Sequence, residues 1–285
     1  MSNPRLRALT LLAPLLLAAS ACASEAGDDT PATTTAATAA DCVADVTLTT
    51  PDTLTIGTDS PAYEPWFTEN DPTTGEGFES AVAYAVAERL GFDAADVAWT
   101  KVRFNTSFAP GPKEFDFDIN QISITPARAK AVDFTDGYYS ASQAVIALNG
   151  SAAAAATSLA DLAGLRLGAQ TGTTSLTAIR DVIQPDAEPS VFQDTNAAKQ
   201  ALQNDQIDAV LADLPSAFYI TAVEIPKSTI VGQFQPETGA QEEFGMLLAK
   251  GSELTPCVNL ALAELVDDGS LAELEQTWLS DTVNV

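Results

Sequence analysis

Asp116 to Tyr139 reads DFDINQISITPARAKAVDFTDGYY. Phe117 to Ile124 predicts a buried strand, and Thr125-Pro126 predicts a helix start, with threonine as the N-cap and proline at the first helical position. Arg128 then falls at the third helical position, where a cation opposes the helix macrodipole at a cost of about 0.3–1 kcal/mol. Helix N-termini instead collect anions through their free N–H groups. An arginine beside those donors suits a carboxylate arriving from elsewhere. The stretch is thus either an anion clamp at a strand-to-helix junction or a strand followed by a solvated surface arginine.

The same alternation runs outward on both sides. Leu54 to Thr58 predicts a strand, Glu79 to Leu90 a helix with Val82, Val86 and Leu90 four residues apart, and Val97 to Val102 a second strand. After Ser142 to Leu148 comes a low-complexity connector, Asn149 to Thr157, and the pattern begins again. Arg166 to Ala169, Ser190 to Phe192 and Ala209 to Ala212 predict strands, separated by helices at Thr174 to Val182 and Thr195 to Asn204. Thr255-Pro256 repeats the cap-plus-proline start, and Ser270-Leu271-Ala272-Glu273 has the form of a capping box. Short apolar strands alternating with helices imply parallel sheets covered on both faces, here as two α/β lobes.

Composition narrows the class. Thirteen basic residues stand against 39 acidic ones, giving a net charge of -26 with no histidine; such a surface repels nucleic acid and anionic headgroups. Near the N-terminus, Arg5 and Arg7 precede an apolar run from Leu9 to Ala21, too short to span a bilayer but suited to a signal peptide over residues 1–21. The run ends Ala19-Ser20-Ala21-Cys22, which resembles a bacterial lipobox with a lipidated Cys22, although leucine is preferred where Ala19 stands; simple cleavage after Ala-Ser-Ala is the alternative. Residues 22–44, rich in threonine and alanine, have too little apolar surface to fold and read as a tether. With Cys22 lipidated, Cys42 and Cys257 remain, an even pair in an exported chain, and a disulfide between them is expected. The alternative is two separate buried thiols. Ligands for a metal site are lacking.

The chain resembles the amino-acid-binding proteins of ABC importers, solute-binding protein family 3, from Leu54 to Leu279. The resemblance rests on IGTDSPAYEPWF (Ile56 to Phe67), GFESAVAYAVAERLGF (Gly77 to Phe92), QISITPARAKAVDFTDGYY (Gln121 to Tyr139), LGAQTGTTS (Leu167 to Ser175), QIDAVLAD (Gln206 to Asp213) and CVNLALAELVDDGSLAELEQTWL (Cys257 to Leu279). It implies a type II periplasmic-binding-protein (Venus-flytrap) α/β fold, with residues 45–141 and 235–285 forming lobe 1 and 142–234 lobe 2. It also implies a ligand held at the C-terminal ends of the strands, hinge closure, an ABC permease as partner, a monomer on the outer face of the membrane, and no cofactor.

By matching position, Arg128 holds the ligand's α-carboxylate with Ser123 and Gln121, Thr173 and Thr174 add contacts from the opposite wall, and Asp213 accepts the α-ammonium. For Asp213 the alternative is a cap on the helix that follows it, and Thr173 or Thr174 caps its helix whether or not it also touches ligand. Tyr63 and Trp66 match an aromatic wall, offset by one extra residue after Asp59, so packing is an equal reading for Trp66. Asp59 either meets the ligand side chain or caps its own turn. Ser80 and Ala81 depart from the family pattern, and Asn120 stands where a small residue is common. Asp59, Asp118 and Asn120 favour a polar or cationic ligand side chain. An enzyme on the same fold is the competing class; it lacks histidine for acid–base work and a nucleophile elbow.

Overall fold

A computed structural model describes residues 38–235 and 241–280. The leader 1–21 and Cys22 lie outside the described residues. In chain order the elements are α1 (Ala39–Val43), β1 (Leu54–Thr58), α2 (Phe78–Arg89), β2 (Val97–Lys101), α3 (Phe104–Ser107), β3 (Phe117–Asp118), β4 (Val132–Phe134), β5 (Tyr139–Ala141), β6 (Gln143–Leu148), β7 (Leu167–Gln170) and α4 (Thr174–Ala178). Then follow β8 (Ser190–Phe192), α5 (Thr195–Gln203), β9 (Ala209–Asp213), α6 (Leu214–Tyr219), β10 (Ser228–Phe234), β11 (Glu242–Phe244), β12 (Leu247–Ala249), α7 (Thr255–Asp267) and α8 (Ser270–Glu275).

These build two five-stranded sheets, in the orders β2-β1-β3-β12-β4 and β10-β6-β9-β7-β8, with β5 and β11 forming a separate antiparallel pair. The sheets are mixed rather than wholly parallel. β12 runs antiparallel to β3 and β4, and β6 runs antiparallel to β9 and β10. Both are strands that enter a sheet directly from the β5/β11 crossing, without the helical crossover that a parallel neighbour requires.

In the second sheet, Ala144 and Ile146 of β6 and Val210 of β9 face α5 and α6, while Val145, Ala147 and Leu211 face the side covered by α4. Period-two alternation between two buried faces explains why QAVIAL is apolar almost throughout. The first sheet packs Leu54, Ile56 and Phe117 against Val82, Val86, Val258 and Leu262 of α2 and α7, with Trp66, Phe67 and Phe78 filling the end nearest the second lobe.

Four local expectations change. The strand expected over Phe117 to Ile124 ends at Asp118, because Gln121 turns to φ +46° and gives its backbone N–H and side-chain amide to the Glu79 carboxylate instead of a ladder. Ser123 rejoins through one bridge to Phe244. The helix expected after Thr125-Pro126 is a single 3₁₀ turn, Arg128–Lys130, although Thr125 Oγ1 does accept from Arg128 N at 3.2 Å. A turn this short has no macrodipole for Arg128 to oppose. At α8 the N-cap is Gly269 in left-handed conformation, and Asp268 rather than Ser270 supplies the accepting side chain; Thr255 lies one position inside α7, with Leu254 as its cap.

Residues 39–43, inside the expected tether, form α1, whose Thr38 and Asp41 make a reciprocal capping box. α1 docks on α7: Ala39 N donates to Glu264 Oε1, and Cys42 is disulfide-bonded to Cys257 across 215 residues. No described helix is long and apolar enough to cross a membrane.

Candidate functional site

The C-terminal ends of β1 and β9 and the N-terminus of α4 face one another across the cleft between the sheets. A cavity of about 60 Å³ remains there, room for a few water molecules. Asp59, Tyr63, Asn120, Gln121, Ser123, Thr173, Thr174 and Asp213 all line it; Trp66 and Arg128 do not.

Arg128 is buried just behind this lining. Its guanidinium lies 4.7 Å from the Phe108 ring centroid and 5.5 Å from that of Phe104. Nη1 donates to the Ser123 carbonyl at 2.6 Å, and Nη2 reaches across to the Gly172 carbonyl at 2.8 Å. The side chain is therefore not a solvated surface arginine. Burial lowers its pKa to about 10, while Glu242 and Asp213 act in the opposite direction, which leaves it charged at neutral pH. Its cross-cleft acceptor is a backbone carbonyl at the start of the α4 loop, next to the threonines.

Asp213 ends β9 and occupies the N-cap position of α6, yet its side chain makes no capping bond. It accepts from Gln143 Nε2 at 3.1 Å instead. Burial, then the nearby Glu242 carboxylate, pushes its pKa up to about 8. Thr173 caps α4: its hydroxyl accepts from Leu176 N and donates to the Gln170 carbonyl, so its side chain is fully engaged. Thr174 is freer; its hydroxyl lies 3.2 Å from Ser123 Oγ on the other lobe. Asp59 accepts from Ser60 N and Phe104 N while lining the cavity.

Tyr63 reaches across to the N-terminus of α5, near the backbone of Thr195 and Asn196, and carries Lys199 Nζ over its ring at 5.4 Å. Asn120 is 6% exposed and its Nδ2 lacks a partner among the described residues. Gln121 has spent its amide on Glu79. Trp66 is completely buried between Phe78, Tyr139 and Phe244, and its Nε1 donates to Ser216 Oγ at 2.8 Å, joining the lobes beneath the cleft rather than walling it.

The sequence pattern that describes the bacterial extracellular solute-binding proteins, family 3, matches residues 54–281. The chain belongs to that family. It is 28% identical over 234 residues to the L-cystine-binding protein TcyJ of Escherichia coli K12, covering 81% of this chain and 84% of that one. It is 29% identical over 238 residues to the arginine-binding extracellular protein ArtP of Bacillus subtilis, covering 80% and 86%. In structure it is similar to an ancestral arginine-binding protein bound to arginine, with a TM-score of 0.67, 31% identity and coverage of 80% and 98%. This family 3 member therefore has the type II periplasmic-binding fold.

Several polar groups in and behind the cleft lining escaped the sequence; of Lys199, Gln143, Glu242 and Glu79, only Lys199 lines the cavity. Lys199, 7% exposed, pairs with Glu224 at 2.6 Å on the lobe 2 wall; read along the chain it is one more charge on a helix. Gln143 and Glu242 sit on the crossing strands, where no local pattern marks a polar residue as inward-facing. Glu79 is fully buried and accepts from Gln121 and the Tyr138 hydroxyl. Its signal was the acid in Gly77-Phe78-Glu79, at the first turn of an otherwise apolar helix.

Proposed function

We propose that this family 3 protein closes its lobes on an amino acid outside the cytoplasmic membrane and delivers it to the permease of an ABC importer, held at the membrane as a monomer by a lipid on Cys22. The observation that carries the reading is the placement of Arg128 and Asp213 on opposite sides of one cleft, each without an ion-pair partner among the described residues. A guanidinium and a carboxylate so placed complement the two charged ends of an amino acid. A carboxylate arriving at Arg128 would take the donor now spent on Gly172, with Ser123 and Thr174 beside it.

The remaining wall selects the side chain. Asp59, Glu64 and Glu224 outnumber Lys199 among its charges, which favours a polar or cationic ligand. Relatives named for arginine, cystine and glutamine fall in that range.

A thermal-shift screen of the proteinogenic amino acids and L-cystine tests this. A ligand that binds only the native state raises its melting temperature, by about 2.7 kcal/mol of stability at 100 times its Kd. At least one polar or cationic amino acid is expected to do so, and no shift with any of them would overturn the reading. Membrane anchoring is tested separately: Cys22→Ala should release the protein into the medium, and an intact mass showing an unmodified N-terminus would contradict it.

A further inference from the structure

Asp213, Gln143 and Glu242 come from three neighbouring segments at the crossing between the lobes. Gln143 stands directly opposite Asp213 in the β6/β9 ladder. Glu242 stands opposite Ala141 on β5, two residues before Gln143. The Gln143 amide nitrogen donates to both carboxylates, to Asp213 Oδ1 at 3.1 Å and Glu242 Oε2 at 2.9 Å. Two bonds from one nitrogen put those oxygens at most about 6 Å apart, and one ammonium with N–H···O contacts of about 2.7–2.9 Å bridges them once they lie within about 5 Å of each other.

The cluster is short of donors. Gln143 is completely buried, and its carbonyl oxygen, Oε1, has no partner among the described residues. Neither Asp213 nor Glu242 has an ion pair among them. Two carboxylates share the nitrogen of one amide that has already given its hydrogens, and the oxygen of that amide is orphaned. An ammonium supplies three donors and one positive charge.

We propose that Glu242 is a ligand-contacting residue, which with Asp213 forms a two-carboxylate seat for the ammonium group of the bound amino acid. This rests on the amino-acid reading above and adds to it a residue outside the matching motifs. The other Glu242 oxygen accepts from Ser123 Oγ of lobe 1 at 2.7 Å, and Ser123 in turn meets Thr174. The seat is therefore tied to both lobes, and neutralising it favours closure.

A proton is the natural stand-in for the ammonium. Burial comes first in keeping Asp213 protonated, Glu242 and Glu79 add to it, and Gln143 opposes them; Arg128 is the cation that acts on the cluster, and Tyr138 and Tyr139, both held neutral, are the other titratable groups near Asp213. Binding an ammonium should expel that proton. Affinity should then rise with pH by up to about tenfold per unit while the unliganded pair still holds its proton.

The test is titration calorimetry on the wild type, Glu242→Gln and Asp213→Asn between pH 6 and 8, with L-arginine, L-glutamine and L-cystine as probes. For the probe that binds the wild type, affinity should rise with pH. Glu242→Gln should weaken binding at least about tenfold and flatten the pH profile, because Asp213 without a carboxylate neighbour ionises more readily. Wild-type-like affinity within twofold and an unchanged profile in Glu242→Gln would overturn the inference while leaving the amino-acid reading standing. Tighter binding by Glu242→Gln would also overturn it, since Glu242 would then compete with ligand for Ser123. A flat wild-type profile overturns it without any variant. Failure of the wild type to bind any proteinogenic amino acid or L-cystine would sink the reading beneath it as well.

Discussion

Arg128 sits where two aromatic rings remove it from water and two backbone carbonyls take its N–H groups, one from each lobe. A buried guanidinium without a carboxylate partner is costly, and on the proposed reading the missing partner is the ligand. Removing one member of a closed-site charge pair leaves the other buried and unpaired, at about 2–5 kcal/mol. Arg128→Ala and Asp213→Ala should therefore each weaken amino-acid binding from roughly 30-fold to several-thousand-fold. Arg128→Lys should recover only part of the loss, because an ammonium cannot present the planar fork. Calorimetry checks this, and an Arg128→Ala affinity within threefold of the wild type would mean that the carboxylate is held elsewhere.

At the scale of elements, the turn before α2 is fixed by its backbone. The first N–H groups of that helix are satisfied by the carbonyls of Pro65 and Trp66, not by a capping side chain. Gly77 makes this approach possible at φ +92°, since a Cβ there would lie 2.6 Å from Phe67 Cα and the Trp66 carbonyl oxygen. Gly77→Ala should destabilise the protein by several kcal/mol, through left-handed strain and overpacking, measured as a lowered denaturation midpoint; an unchanged midpoint would contradict the account. The Cys42–Cys257 bridge closes a 215-residue loop, for which chain entropy gives an upper figure of about 5 kcal/mol. Reduction, or Cys42→Ser, should lower the melting temperature and release α1 from α7.

What the sequence made legible follows the same division. Strands and helices with regular apolar spacing, such as β1, α2 and β9, were readable because burial imposes their period. The segment from Ile119 to Lys130 was not, because Glu79, forty-two residues before Gln121, pulls that backbone out of the ladder. That Asp213 lines the cavity was readable from its place at a strand end. That Gln143 and Glu242 lie against Asp213 was not, since what brings them there is the pairing of β5, β6, β9 and β11, a tertiary fact without a local pattern.

For the whole molecule, buried carboxylates set the pH dependence of stability. Burial raises the Glu79 pKa from 4.5 to about 7 and lifts Asp118, whose oxygens have no partner among the described residues, well above its ordinary value. In the folded state these groups hold protons that the unfolded chain has lost, so their contribution is present at low pH and disappears as pH rises through the folded values. For Glu79 alone this is about 3 kcal/mol. The surface carboxylates act oppositely. Asp133, Asp208 and Asp268 are held low by their hydrogen bonds and neighbouring cations, and fail only as pH falls below the ordinary carboxylate range. The net charge of -26 adds repulsion that grows with pH. Thermal denaturation should accordingly show a higher melting temperature near pH 5.5 than at pH 8, with the difference reduced in Glu79→Gln and in Asp118→Asn.

On the proposed reading, closure around an amino acid is the motion that this architecture serves, with two sheets joined through the short β5/β11 pair and a cleft lined from both sides. The most direct test is a crystal structure with the amino acid that raises the melting temperature most. The account predicts its α-carboxylate on Arg128, near Ser123 and Thr174, and its ammonium on Asp213, with the Arg128–Gly172 bond replaced. A ligand bound away from the cleft, or one inside it with Arg128 still on the Gly172 carbonyl and Asp213 untouched, would contradict it.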